Sequence, residues 1–306
     1  MSRGASPGRL AARRFFERAQ GSAGLALLIL FVLLVAAAPL GALLLGLDAD
    51  RVDLMARLAP PSLAHPLGTD ELGRDELLRL LYGGRVSLLV GLAAALASAL
   101  LGTAIGLLAG YLGGWTDVLL MRLTDGVITL PLLPILIVLA AIDPAKLGLP
   151  PALANAPDLG LYRIIAIIAL VGWTRVARLV RNSSLSLRER EFVLAAEAQG
   201  ASASRIMLVH ILPNSVSPII IATTLSIGQV ILFESVLSFL GLGIQPPTAS
   251  WGNMLSGGLE LLASAPWLVI EPGLAILFTV IAFNFVGDAL QEALQPRAFV
   301  RAPGAF

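Results

Sequence analysis

V-S-L-L-V-G-L-A-A-A-L-A-S-A-L-L-G-T-A-I-G-L-L-A-G-Y-L-G-G-W-T, residues 86–116, runs for 31 positions without a charged side chain. A bilayer core of about 30 Å is crossed by about 20 apolar helical residues, so this stretch has length to spare. Working outward, comparable runs recur. Residues 24–47 are uncharged, as are 211–233. Residues 126–142 are shorter and can borrow length from 118–123 if Arg122 snorkels to the interface. Residues 164–174, bounded by Arg163 and Arg175, span only if both arginines sit near the interfaces. Residues 272–287 extend back to Trp267. The expectation is an all-α integral membrane protein with six transmembrane helices.

Composition agrees. Hydrophobic residues make up 57% and charged residues 13%, against about 45–50% and about 25% in soluble domains. A soluble chain this apolar could not cover its own surface, and disorder is excluded for the same reason. Cysteine is absent, which removes disulfides, thiolate metal sites and a cysteine nucleophile. A net charge of +1 gives no sign of a nucleic-acid partner.

One more uncharged stretch, 235–259, is rejected as a span. Pro246, Pro247, Gly241, Gly243 and several hydroxyls would break a single helix. Such backbone belongs in an extramembrane loop or against protein. Residues 24–47 are too long for the apolar core of a signal peptide and read as an uncleaved first span.

The chain therefore divides into a basic segment 1–23, a first span 24–47, an external loop 48–84, a core 85–290 with a long loop at 182–213, and a tail 291–306. Arginines set the orientation. The first segment carries Arg3, Arg9, Arg13, Arg14 and Arg18, which places it in the cytoplasm. Six crossings return the tail, with Arg297 and Arg301, to the same side. Counted this way, 14 basic residues lie inside and 7 outside.

Between the spans, R-R-F-F-E-R-A-Q at 13–20 reads as a short helix on the inner surface. In 65–85, Asp70/Arg74 and Asp75/Arg79 are four apart, which predicts helical pairing on a solvated face of an external amphipathic helix. In the second span Ala94, Ser98, Gly102, Gly106 and Gly110 form a small-residue stripe that admits a close helix neighbour, in this chain or another. No internal repeat is visible.

The loop from Arg175 to Pro213 is the most informative segment. Helix formers run from 187 to 199, Gly200 can stop the helix with a positive φ, and Ser202 can cap the next. Pro213 sits at the start of the fifth span, where its missing N–H costs little. Helix, turn and helix make a knob projecting into the cytoplasm.

That knob carries A-A-E-A-Q-G at 195–200 and I-L-P at 211–213. It resembles the coupling loop of ABC importer permeases, whose usual form is Glu-Ala-Ala, three residues, Gly, nine residues, a hydrophobic residue, any residue, then Leu-Pro. Ala195, Ala196, Gly200, Leu212 and Pro213 fall at those spacings. Leu194 replaces the usual Glu, with Glu197 one turn away, and His210 stands at the hydrophobic position. H-P-L-G-T-D-E-L-G-R-D at 65–75, G-G-R-V-S-L-L-V-G at 83–91, L-S-F-L-G-L-G-I-Q-P-P-T-A-S-W-G-N-M-L at 237–255 and A-F-N-F-V-G-D-A-L at 282–290 extend the resemblance. Together they resemble the dipeptide/oligopeptide/nickel branch of that family over about 66–296.

The resemblance implies a type I importer permease in a bacterial plasma (inner) membrane. It implies a second related permease, two ATPase subunits that hold ATP and magnesium, and an extracytoplasmic solute-binding protein. It implies that the segment 191–205 docks on an ATPase, with Glu191, Ala195, Ala196, Glu197, Gly200, Ser202 and Arg205 on or beside that contact. The residues themselves agree that this chain binds no nucleotide by a phosphate loop. Such a loop needs Gly-Lys followed by Ser or Thr, and the single lysine, Lys146, lies in D-P-A-K-L-G.

Other chemistry is thinner. His65 and His210 are the only histidines and fall on opposite faces, against a metal site. No nucleophile–base pair marks an enzyme active site. Asp125 and Glu234 lie within or beside spans, and intramembrane acids are candidates for a solute path. Arg122, three residues before Asp125, is the expected structural partner, and Glu234 is expected to hydrogen-bond the following loop. The same two acids motivate a rival reading, an autonomous proton-coupled carrier. The solute itself carries no signature beyond the branch preference for short peptides.

Overall fold

A computed structural model describes residues 7–143, 146, 150 and 159–294, and every regular element among them is a helix. In chain order these are α1 (Pro7–Glu17), α2 (Ala19–Ala36), α3 (Ala38–Leu45), α4 (Glu76–Leu112), α5 (Gly114–Thr129) and α6 (Leu132–Ala141). There follow α7 (Leu159–Gly172), α8 (Thr174–Arg188), α9 (Glu191–Ala198), α10 (Leu212–Phe239), α11 (Trp251–Leu259) and α12 (Trp267–Leu294). Four helical stretches are long and apolar enough to cross a membrane alone: α2, α4, Ala203–Phe239 and α12. Two bent pairs, α5 with α6 at 90° and α7 with α8 at 42°, raise the number to as many as six when each pair counts as one span. The short runs at 126–142 and 164–174 thus contain the breaks of these pairs, at 130–131 and at Trp173. Of the expected tail 291–306, residues 291–294 continue α12, and the rest, with Arg297 and Arg301, lies outside the described residues.

The first span is also divided, against the expectation of one helix over 24–47. Pro39, in the first turn of α3, has no N–H to give the carbonyl of Val35. Arg85 replaces it: its Nε donates to Val35 O at 2.9 Å and its Nη2 to Ala36 O at 3.1 Å. The guanidinium fills the gap that the proline opens.

The amphipathic helix expected in 65–85 is corrected. Helix begins only at Glu76 and then runs unbroken to Leu112, so external lead-in and second span are one element. Asp70 and Arg74 do pair, at 2.7 Å, but in the turn-rich loop before it. Asp75 and Arg79 do not pair. Asp75 caps α4 by accepting from Leu78 N at 2.9 Å and sits 3.0 Å from His65 Nδ1. Arg79 instead reaches Asp70 and Asp50. The face is not solvated either, since Asp70, Asp75 and Arg79 are all buried. A four-residue spacing also arises where a loop folds over a helix N-terminus, and here that geometry won.

The small-residue stripe finds its neighbour within the chain: α4 packs most extensively against α8. A Cβ on Gly102 would lie 2.5 Å from Trp173 O, one on Gly106 2.6 Å from Ala177 O, and one on Gly110 2.7 Å from Arg181 O. Both partners advance four residues at each step, so the two helices run parallel in one register. Parallel neighbours require the intervening chain to return across the bundle, which the α5–α6 pair provides.

The main core lies between α4, α6, α7, α10, α11 and α12, with Val90, Leu136, Ile164, Ile231, Leu237 and Trp251 fully buried. α1 and α2 pack along α12 through Phe15, Val286 and Ala289. The short helix expected at 13–20 is found as α1, ending at Glu17, with Phe16 left exposed. The rejected stretch 235–259 is not one helix. α10 ends at Phe239, the chain turns at Gly241 (φ +74°) and passes a cis Pro246–Pro247 bond, and Ser250 with Asn253 forms a capping box that starts α11.

Candidate functional site

Two features on this frame carry chemistry: a knob built around α9 and a cavity between α5–α6, α7–α8 and α10.

The knob is held by few residues. Val193 is the only buried residue of α9, and it packs with Val180, Leu107, Ile206 and Ile211 in a second apolar cluster. Helix over 187–199 was expected to be continuous, but α8 ends at Arg188 and Arg190 is extended (φ −80°, ψ 145°). The break turns α9 so that Val193 reaches Val180, and tertiary burial overrides helix propensity. Arg188 ties the break to the end of α4 by donating to Tyr111 O at 3.2 Å.

The end of α9 follows the expectation. Gly200 has φ +80°, its N–H donates to Glu197 O at 2.9 Å, and Ala201 N donates to Ala196 O at 3.1 Å. These are the two bonds of a Schellman stop. An added Cβ on Gly200 would meet nothing within 4 Å, so the requirement there is purely conformational. Ser202 occupies the extended cap position, but its side chain makes no capping bond. Its carbonyl accepts from Ile206 N at 3.0 Å.

The outer surface of the knob is accessible. Glu191, Ala195, Glu197, Gly200, Ser202 and Arg205 are exposed, and Ala196 and Leu212 are half-buried. Phe192 and Leu194 are 44% and 51% exposed, so the knob presents apolar surface. Leu194, at the place of the usual Glu, therefore offers apolar surface.

From Ala203 the chain is helical without interruption to Phe239. Pro213 stands in the first turn of α10, as expected, but α10 continues the helical residues that begin at Ala203. A wide turn over Ile206–Ile211, in which Leu212 N donates to Met207 O, precedes it. Residues five apart are joined there, and the extra residue gives the proline ring room. The second arm of the knob, from Ala203, and the fifth span are one rod, with α9 set off from it by the turn at Gly200.

That rod forms one wall of a cavity of about 770 Å³. The walls are largely apolar, including Leu132, Leu136, Val230 and Phe233, with Ser98, Arg175, Arg178, Gln229 and Asn284 among the polar lining. Arg178 donates to Asp125 Oδ1 at 2.5 Å. Asp125 thus has a partner other than the expected Arg122, one 53 residues along the chain. Arg175 donates to Gln229 Oε1 at 2.5 Å. Arg181, a turn further on, forks onto both carboxylate oxygens of Asp117.

Glu234 lies elsewhere. It is fully buried and accepts from Ser87 Oγ at 3.0 Å and Ser238 Oγ at 2.7 Å. Ser238 Oγ in turn accepts from Ile244 N, and Ser87 Oγ accepts from Trp251 N. Glu234 therefore holds the 240–250 loop through intermediary hydroxyls, and it does not line the cavity. Sequence reasoning passed over Gln229 and Asn284. The available signal was an uncharged amide inside an otherwise apolar span. His65 and His210 are apart, His65 beside Asp75 and His210 beside the Phe192 ring. Among the described residues no cluster of three potential metal ligands occurs.

Comparison with known proteins gives this geometry its context. Residues 102–300 match the family described as binding-protein-dependent transport system inner membrane component. The chain is 40% identical over 292 residues to the dipeptide transport system permease protein DppC of Alkalihalophilus pseudofirmus, covering 95% of this chain and 90% of that one. It is 40% identical over 287 residues to the oligopeptide transport system permease protein OppC of Escherichia coli K12, covering 94% and 90%. A putative peptide permease protein of Brucella suis is 39% identical over 289 residues, with the same coverage. With its frame of apolar helices, projecting knob and lined cavity, the chain belongs to the family of binding-protein-dependent transport system inner membrane components.

Proposed function

We propose that this chain is one of two related permease subunits of an ATP-driven importer of short peptides, with both termini and the α9 knob in the cytoplasm. A second permease completes the solute path, two ATPase subunits bind ATP and magnesium, and an extracytoplasmic binding protein delivers the peptide. The lipid bilayer is the remaining partner. The observation that carries this reading is mechanical: one unbroken helix, Ala203–Phe239, joins the exposed knob to the cavity wall. A displacement imposed on α9 by a closing ATPase reaches Gln229 and Phe233 through that rod. The chain contributes no catalytic group and converts a protein contact into movement of the wall. Peptide as the solute is carried over from the relatives named above.

Mild solubilisation of the tagged chain from its native membrane, followed by mass spectrometry of what co-purifies, tests the assembly. Two ATPases and a second permease are expected. Recovery of this chain alone in several gentle detergents would overturn the reading.

A further inference from the structure

We infer that Arg175, with Gln229, binds the C-terminal carboxylate of the peptide in transit. The inference deepens the function proposed above and rests on its peptide solute. Two cations line the cavity. The charge of Arg178 is matched by Asp125, but Arg175 bonds only the neutral amide oxygen of Gln229. No carboxylate occurs among the described lining residues, so one positive charge in the cavity is unanswered.

The apolar remainder of the wall suits side chains of any kind. A guanidinium presents its donors in a planar fork that matches a carboxylate, and each short peptide brings one such group whatever its sequence. This arrangement fixes the end of the peptide while tolerating its side chains.

The test uses the complete transporter in proteoliposomes: this chain, its partner permease, the ATPases and the binding protein. Two alanine tripeptides are compared, one with a photoreactive residue at the C-terminus and one with it at the N-terminus, so that the terminus is the only carboxylate. Illumination during ATP-driven turnover and peptide mapping locate the label. The C-terminal probe is expected to label α8 or α10 of this chain several-fold more than the N-terminal probe. Arg175→Lys is expected to keep that label and Arg175→Gln to lose it about tenfold, the scale of one hydrogen bond to a charged group. Equal labelling by both probes, or wild-type labelling in Arg175→Gln, would overturn the inference. The two wild-type probes decide the matter even if the Gln variant fails to assemble. Vesicles that hydrolyse ATP yet accumulate neither peptide would overturn the peptide reading itself, and the inference with it.

Discussion

Gly200 is a residue whose backbone does the work. At φ +80° an alanine carries about 1–2 kcal/mol of strain, and the surrounding space is open. Gly200→Ala is therefore expected to insert normally and lose part of its ATP-driven uptake, whereas Gly200→Glu, which adds bulk and charge to the knob, abolishes uptake at unchanged membrane levels. Uptake assays read against immunoblots separate the two effects, and normal uptake by Gly200→Glu would refute the role of the knob. Glu234 acts through its hydroxyl neighbours. Replacing it with Leu strands Ser87 and Ser238, each a buried polar group, at about 1–3 kcal/mol. A lower melting temperature in detergent is expected for Glu234→Leu than for Glu234→Gln, which keeps an acceptor. The positive φ of Gly200 was legible from its neighbours in sequence. The pairing of Asp125 with Arg178 was not, because a partner 53 residues away leaves no local mark.

Among the elements, six apolar runs announced six spans because bilayer thickness constrains length and little else. The bends at 130–131 and at Trp173 were hidden: hydropathy reports that a segment is buried and carries no information about its direction. The false amphipathic helix in 65–85 has a related cause. Its charges are spaced as on a helix, but Asp75 is a cap and Asp70 closes a loop, and the Gly73 φ of +73° between them was the available warning. The small-residue stripe was visible, and its partner was not. Gly106→Val places new atoms where the Ala177 carbonyl would lie 2.6 Å from the Cβ. Overpacking of this kind costs about 1–3 kcal/mol, so a clear fall in thermal stability and in folded yield is expected. An unchanged melting curve would show that α4 and α8 do not meet there in the membrane.

At the scale of the whole molecule, orientation is the testable matter. The chain contains no cysteine, so a single introduced thiol reports without background. Leu63→Cys, at a fully exposed position in the loop before α4, is expected to react with a membrane-impermeant maleimide on intact cells. Ser202→Cys, on the knob, is expected to react only after permeabilisation. The reverse pattern would invert the proposed topology. The parallel register of α4 and α8 also limits how such a molecule can move. Glycines seated every fourth residue against a neighbouring backbone work like teeth in a rack. The next engagement is a full notch away, a slide of about 6 Å at 1.5 Å per residue. Gradual slippage between the two is therefore forbidden, and they travel as a single plank. Whatever opens and shuts a passage through this protein must hinge at the plank's edges and not within it.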